Sequence, residues 1–204
     1  MYNLPRYATA GRAEIIDFMQ THDFVTLIGF DGEYPVATQI PVEVVVSDDE
    51  IKLIGHIMTN TDHCSAFKQN ANVLAIFTGA HAYISASVYE QPAVASTWNY
   101  KTVQAKGQIR LMSSEETYLV IKNLTDKYEN PQTSKAAFHQ MDEAYIQKHL
   151  KAITGFEIDV TNLAHTFKLS QNQSTENQRQ IIANLEKSGE RNDQDLAKEM
   201  KKNL

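Results

Sequence analysis

The sequence predicts an α+β fold: a small antiparallel β-barrel with peripheral helices. Two observations carry this. Six or seven β-rich apolar segments follow one another in hairpin-connected order, and the helical patterns sit at the start, middle and end of the chain rather than alternating with single strands. Antiparallel strands at this spacing favour a closed barrel over an open parallel sheet, because closure removes exposed strand edges.

Taken in order, Ile15, Phe18, Met19 and His22 show the i, i+3, i+4, i+7 spacing of an amphipathic helix over residues 13–22. FVTLIGF (Phe24 to Phe30) is the first strand, Asp31-Gly32 a hairpin signal, and VATQIPVEVVV (Val36 to Val46) the return strand. A polar turn at Ser47 to Glu50 leads to IKLIGHI (Ile51 to Ile57), a strand with His56 on the face opposite Ile51, Leu53, Gly55 and Ile57. Thr59, Asn60, Thr61 and Asp62 are good N-caps for a helix to about Gln69.

NVLAIF (Asn72 to Phe77) is a further strand, and His81 to Gln91 (HAYISASVYEQ) reads as another. Its alternation places Ala82, Ile84, Ala86 and Val88 on a core face, and His81, Tyr83, Ser85, Ser87 and Tyr89 on a polar-tipped face suited to a flat ligand or a subunit interface. A long strand from Thr97 to Leu111 follows, with Gly107 a candidate bulge. Ser113 to Glu116 is a capping sequence for a helix to about Glu129, which Asn130-Pro131 stops. Residues 133–150 form one or two short helices, and residues 155–172 a strand pair or one interrupted strand. Ser174 to Lys187 is helical, and Leu196, Met200 and Leu204 stripe a last amphipathic stretch. The expected division is a barrel domain over residues 1–172 and a C-terminal helical extension over 173–204.

Composition narrows the function. At 204 residues, with 42% hydrophobic and 22% charged residues, the chain is an ordinary globular protein. One cysteine, Cys64, excludes an internal disulfide framework and any multi-thiolate metal site. No run approaches the roughly 20 apolar residues of a membrane span, and a cytoplasmic protein is expected. The net charge of −6 repels phosphate backbones, so direct binding of nucleic acid is not expected. The C-terminal lysines interleave with Glu186, Glu190, Asp193, Asp195 and Glu199, the pattern of a solvated helix face. GxSxG, HExxH, Walker and GxGxxG motifs are absent.

Two chemical features remain. GHIMTNTDH (residues 55–63) ends a strand and opens a helix whose free amides and dipole suit a phosphate, with Lys168 and Ser170 able to add a charge and a hydroxyl; simple capping by Asn60 and Thr61 accounts for the same residues. Trp98 and Tyr100 share a strand face, where they serve equally to stack a cofactor ring or to fill a core or dimer interface.

The runs ATQIPV (37–42), LIGH with Asn60 after it, GAHAYISASVY (79–89), STWNY (96–100), KAITGFEI (151–158) and FKLSQN (167–172) together resemble the PaiB-type proteins, FMN-binding negative transcriptional regulators. The resemblance implies a split β-barrel of the flavin-binding type and a homodimer with FMN at its interface. By position it implies Thr38, Gln39 and Ile40 along the isoalloxazine, and His56, Asn60 and Thr61 toward the phosphate. Lys168, Ser170 and Gln171 would close the site, from the other subunit, with Trp98 and Asn99 in the interface wall. The chain departs from the family in having Ile57, Met58 and Thr59 where a basic residue is usual, and Gln173 where arginine is usual. Two charge-assisted contacts of about 1.5–3 kcal/mol each are thereby missing, so weakened FMN binding is expected. Alternative readings are a flavin-dependent oxidoreductase, a haem-binding enzyme using His56 or His63, and a DNA-binding repressor.

Overall fold

The computed structural model describes residues 4–91 and 93–204. Seven strands form one sheet: β1 (Phe24–Phe30), β2 (Pro35–Pro41), β3 (Glu43–Ser47), β4 (Glu50–Met58), β5 (Asn72–Ile84), β6 (Thr97–Leu111) and β7 (Ile153–Lys168). Among the described residues six α-helices accompany them: α1 (Arg12–Thr21), α2 (Asp62–Gln69), α3 (Ser114–Tyr128), α4 (Glu143–Leu150), α5 (Thr175–Lys187) and α6 (Arg191–Lys201). The strand order is β2-β1-β5-β6-β7-β4-β3, and its two outermost members are consecutive in the chain, joined by Val42 alone.

That junction closes the sheet. Along β2 the residues pair antiparallel with β1, ending at Phe24↔Pro41; one residue later Glu43 begins pairing with Ile54 of β4. Pro41 has no N–H to continue a ladder, and the Val42 N–H bonds to the Asp23 carbonyl at 2.8 Å as the chain changes partner. The return strand expected over residues 36–46 is therefore two strands, bent where proline interrupts the donors. The β1–β2 hairpin forms as expected: Asp31 Oδ1 accepts from the amides of Glu33 (2.8 Å) and Tyr34 (2.7 Å), and Gly32 takes φ +106°. Those amides hold the Asp31 carboxyl below its usual range.

The chain groups into two compact units. The first spans Met19–Phe77 and Gln104–Leu163; the second comprises the chain up to Phe18, Thr78–Val103 and Ala164–Leu204. In the first, alternate residues point inward, with Val25, Leu27, Leu53, Ile57, Phe77, Phe156 and Ile158 among the buried set. Helix α2 packs on β1 and β2, where Gly29 leaves room for the Phe67 ring. Helix α3 packs beside β4 and opens on a capping box: Ser113 Oγ accepts from the Glu116 N–H, and Glu116 accepts from the Ser113 N–H. Its buried Thr117 accepts from the Gly155 N–H (2.8 Å) and donates to the Ser113 carbonyl (2.7 Å), tying the helix to β7. At Gly107 a Cβ would stand 2.3 Å from the Asp159 carbonyl oxygen, so β6 approaches β7 too closely for any side chain there.

In the second unit α5 and α6 pack against each other, and Ile181, Ile182, Leu185, Leu196 and Met200 form one core with Ala82, Ile84, Ala86, Tyr89 and Leu169. Leu204, expected in the α6 stripe, is exposed. Two further expectations differ. The run to Gln91 is not one strand: β5 ends at Ile84 and the chain turns through a 3-10 segment at Ala86–Val88, which sends Tyr89 into the core and leaves Val88 half-buried. Residues 153–168 form a single uninterrupted strand, whose polar middle is polar because it is largely exposed, not because it turns.

Replacing Thr117 by valine leaves the Gly155 N–H without a partner, so a loss of about 1–3 kcal/mol in urea-unfolding free energy is expected. Gly107→Ala, which drives a methyl group into a backbone carbonyl, should cost at least about as much.

Candidate functional site

The expected site residues fall into two clusters, one in each unit. In the first unit, Thr38, Gln39 and Ile40 lie on β2 opposite Leu27, Thr26 and Val25. Their alternation leaves Gln39 exposed and Thr38 half-buried and sends Ile40 into the core. Because β2 is the last strand in the sheet order, one of its edges has no ladder partner among the described residues. A strand edge with free backbone groups and an exposed amide beside them can meet the hydrogen-bonding edge of a flat heterocycle.

His56 projects from β4 on the face opposite the barrel core and pairs in register with Gly155. The imidazole is largely covered, its Nδ1 has no partner among the described residues, and burial holds its pKa below the ordinary value, so it is neutral at pH 7. Beyond β4, Asn60 is exposed and Thr61 caps α2: its Oγ1 accepts from the Cys64 N–H at 3.3 Å and donates to the Met58 carbonyl at 2.9 Å. His63 Nε2 stands 3.1 Å from the same hydroxyl, and Asp62 Oδ1 accepts from the His63 N–H at 2.7 Å. Within this cluster the structure brings Asn60, Thr61 and His63 together at one helix end.

In the second unit, Lys168 at the end of β7 reaches across to β6, donating to the Thr97 hydroxyl and, at 2.7 Å, to the Trp98 carbonyl. Partial burial lowers the pKa of its ammonium group. The Trp98 ring is 54% exposed and clusters with Tyr83 (5.9 Å between centroids, edge-on) and His81 (6.4 Å) on the neighbouring strand. This wall of rings with a cation at its margin suits a planar ligand or a second protein surface.

Asn99, Ser170 and Gln171 are placed differently. Asn99 is fully buried: its Nδ2 donates to Ser170 Oγ at 2.8 Å and lies 3.7 Å from the Met200 sulfur, while its Oδ1 has no partner among the described residues. Ser170 is also buried, in the left-handed region at φ +61°. Gln171 folds back on its own strand end, accepting from the Leu169 N–H (2.8 Å) and donating to the Phe167 carbonyl (2.5 Å). These three brace the bend that follows Lys168.

Sequence reading missed Lys101. It is 6% exposed, its ammonium pairs with Glu199 at 2.7 Å and Glu14 at 3.6 Å, and it lies over the Phe167 ring at 4.1 Å. The parity Asn99, Lys101, Val103, Ala105 marks it as inward-facing. Glu199, expected on a solvated face, is the partner of this buried cation. Among the described residues no group of three or more His, Cys, Asp or Glu side chains could hold a metal ion, and no helix is long and apolar enough to cross a membrane.

Residues 1–162 match the model of a family described as "Putative FMN-binding domain". The chain is 29% identical over 202 residues to the Protease synthase and sporulation protein PAI 2 of Bacillus subtilis, covering 98% of this chain and 97% of that protein. Among solved structures, the FAD and heme binding protein from Mycobacterium smegmatis aligns with a TM-score of 0.61 at 16% identity, over 85% of this chain and 78% of its own. The flavocytochrome Anf3 from Azotobacter vinelandii aligns with a TM-score of 0.62 at 9% identity, over 82% and 72%. These likenesses establish the split-barrel fold, and the match over residues 1–162 establishes that the chain belongs to the FMN-binding domain family.

Proposed function

We propose that this protein is a flavin-binding split-barrel protein of the PaiB type, working as a homodimer and influencing transcription through ligand or redox chemistry rather than through direct DNA contact. The family match over residues 1–162 carries this reading. The free edge of β2 with Thr38 and Gln39 is suited to the polar edge of an isoalloxazine, and a second copy of the chain supplies Trp98 and the Lys168 ammonium. Asn99, Ser170 and Gln171 act as positioning residues behind them. A bound flavin would supply electron-transfer chemistry of its own. Regulation is suggested by the Bacillus relative's name alone. The net charge of −6 argues against direct contact with nucleic acid.

A second reading, haem binding, draws on His56, whose imidazole burial keeps neutral and so able to ligate through a ring nitrogen. A Soret band that appears on haem addition and is lost in His56→Ala would support it.

Titrating the purified protein with FMN should quench flavin fluorescence saturably, and Lys168→Ala should weaken binding about tenfold or more; absence of any uptake overturns the reading. The burial of His56 makes a separate prediction, about stability. Its folded pKa lies below the ordinary 6.5, so as pH falls the unfolded chain takes up the proton first. The associated stability is present above the ordinary value and is lost as pH drops toward the folded one. Melting temperature should therefore fall more between about pH 7.5 and about pH 5.5 for the native chain than for His56→Gln.

A further inference from the structure

Resting on the flavin reading above, we propose that this chain recognises the flavin ring and not the phosphate, so that riboflavin is held as tightly as FMN. The step from β4 to α2, where sequence reading places an anion, has most of its first-turn amides engaged. Of the first-turn amides of α2, the His63 N–H is taken by Asp62 Oδ1 at 2.7 Å and the Cys64 N–H by Thr61 Oγ1 at 3.3 Å. The Ser65 N–H closes the first regular helical bond, to the Thr61 carbonyl at 3.1 Å. At the cap, the Thr61 hydroxyl gives its proton to the Met58 carbonyl at 2.9 Å and the Ser65 hydroxyl gives its proton to the Thr61 carbonyl at 3.1 Å.

Charge points the same way. The Asp62 side chain is 77% exposed on the turn a phosphate would have to approach. A carboxylate there repels a dianion and already occupies the favourable end of the helix dipole. The strand leading in supplies Ile57 and Met58, neither of which is charged. The basic residue that the sheet brings alongside is Lys151: the Thr59 N–H bonds to the Ala152 carbonyl at 2.9 Å, which sets Lys151 abreast of this step. Lys151 is exposed at the C-cap of α4, a position where a cation is favoured by the negative end of that helix.

The test is a fluorescence titration of the full-length protein with FMN and with riboflavin. Dissociation constants agreeing within about threefold are expected. Asp62→Asn should tighten FMN severalfold without changing riboflavin, and Lys168→Ala should weaken both ligands alike. FMN binding at least about tenfold tighter than riboflavin overturns the proposal, as does a loss in Lys151→Ala or Lys168→Ala confined to FMN. Binding of neither flavin removes the underlying flavin reading as well, a result distinct from selective binding of FMN.

Discussion

The architecture turns on the exchange of partners at Pro41–Val42. A strand that simply ran on would extend one side of the sheet and leave an edge on each flank. Here the chain pairs with β1 up to Pro41 and with β4 from Glu43, so a single bent strand occupies both flanks. The crossing demands space. A Cβ at Gly55 would stand 3.0 Å from the Pro41 carbonyl oxygen and 2.7 Å from the Phe156 ring, so glycine is what lets β4 pass beneath the bend. Thr38 to Ile40 lie just before that bend and His56 immediately follows Gly55. The constraint that closes the sheet thus also sets the first candidate cluster.

The second unit is organised around a buried charge. Taking the Lys101 ammonium out of water is costly unless its field is answered, and here two carboxylates and the face of Phe167 answer it. Because Glu199 belongs to α6, the electrostatic requirement of a strand residue fixes where the last helix docks. The apolar stripe of α6 supplies burial, while the ion pair supplies register. Asn99 lies two residues before Lys101 on the same face, beneath Met200, so the helix that answers the lysine also covers the amide.

Strands and helices were legible wherever one face is buried, because parity and helical spacing then report directly on the core. Legibility failed where polarity has two causes. The middle of β7 is polar through exposure, which in sequence looks the same as an interruption or a break between two strands; the run after Ile84 alternates like a strand but follows a 3-10 turn, since Ser85 Oγ accepts from the Ser87 N–H at 3.2 Å and bends the backbone. The site was legible as residue types and not as directions. Trp98 and Lys168 meet the surface as their neighbours suggest, whereas Asn99 and Ser170 turn inward to each other, a pairing 71 residues apart that no local pattern encodes.

The step into α2 shows why such a pattern is ambiguous in principle. Thr, Asn and Asp before a helix satisfy free amides with their own oxygens, and a phosphate at a helix N-terminus satisfies the same amides with its oxygens. The two are competitors for one set of donors, so a better-capped helix is a poorer anion site. Thr61 and Asp62 between them engage two of the first-turn amides, and Asp62 adds a negative charge where the ligand's would lie. A phosphate oxygen at either of those two amides would have to displace the side-chain oxygen already there, breaking the cap that follows β4.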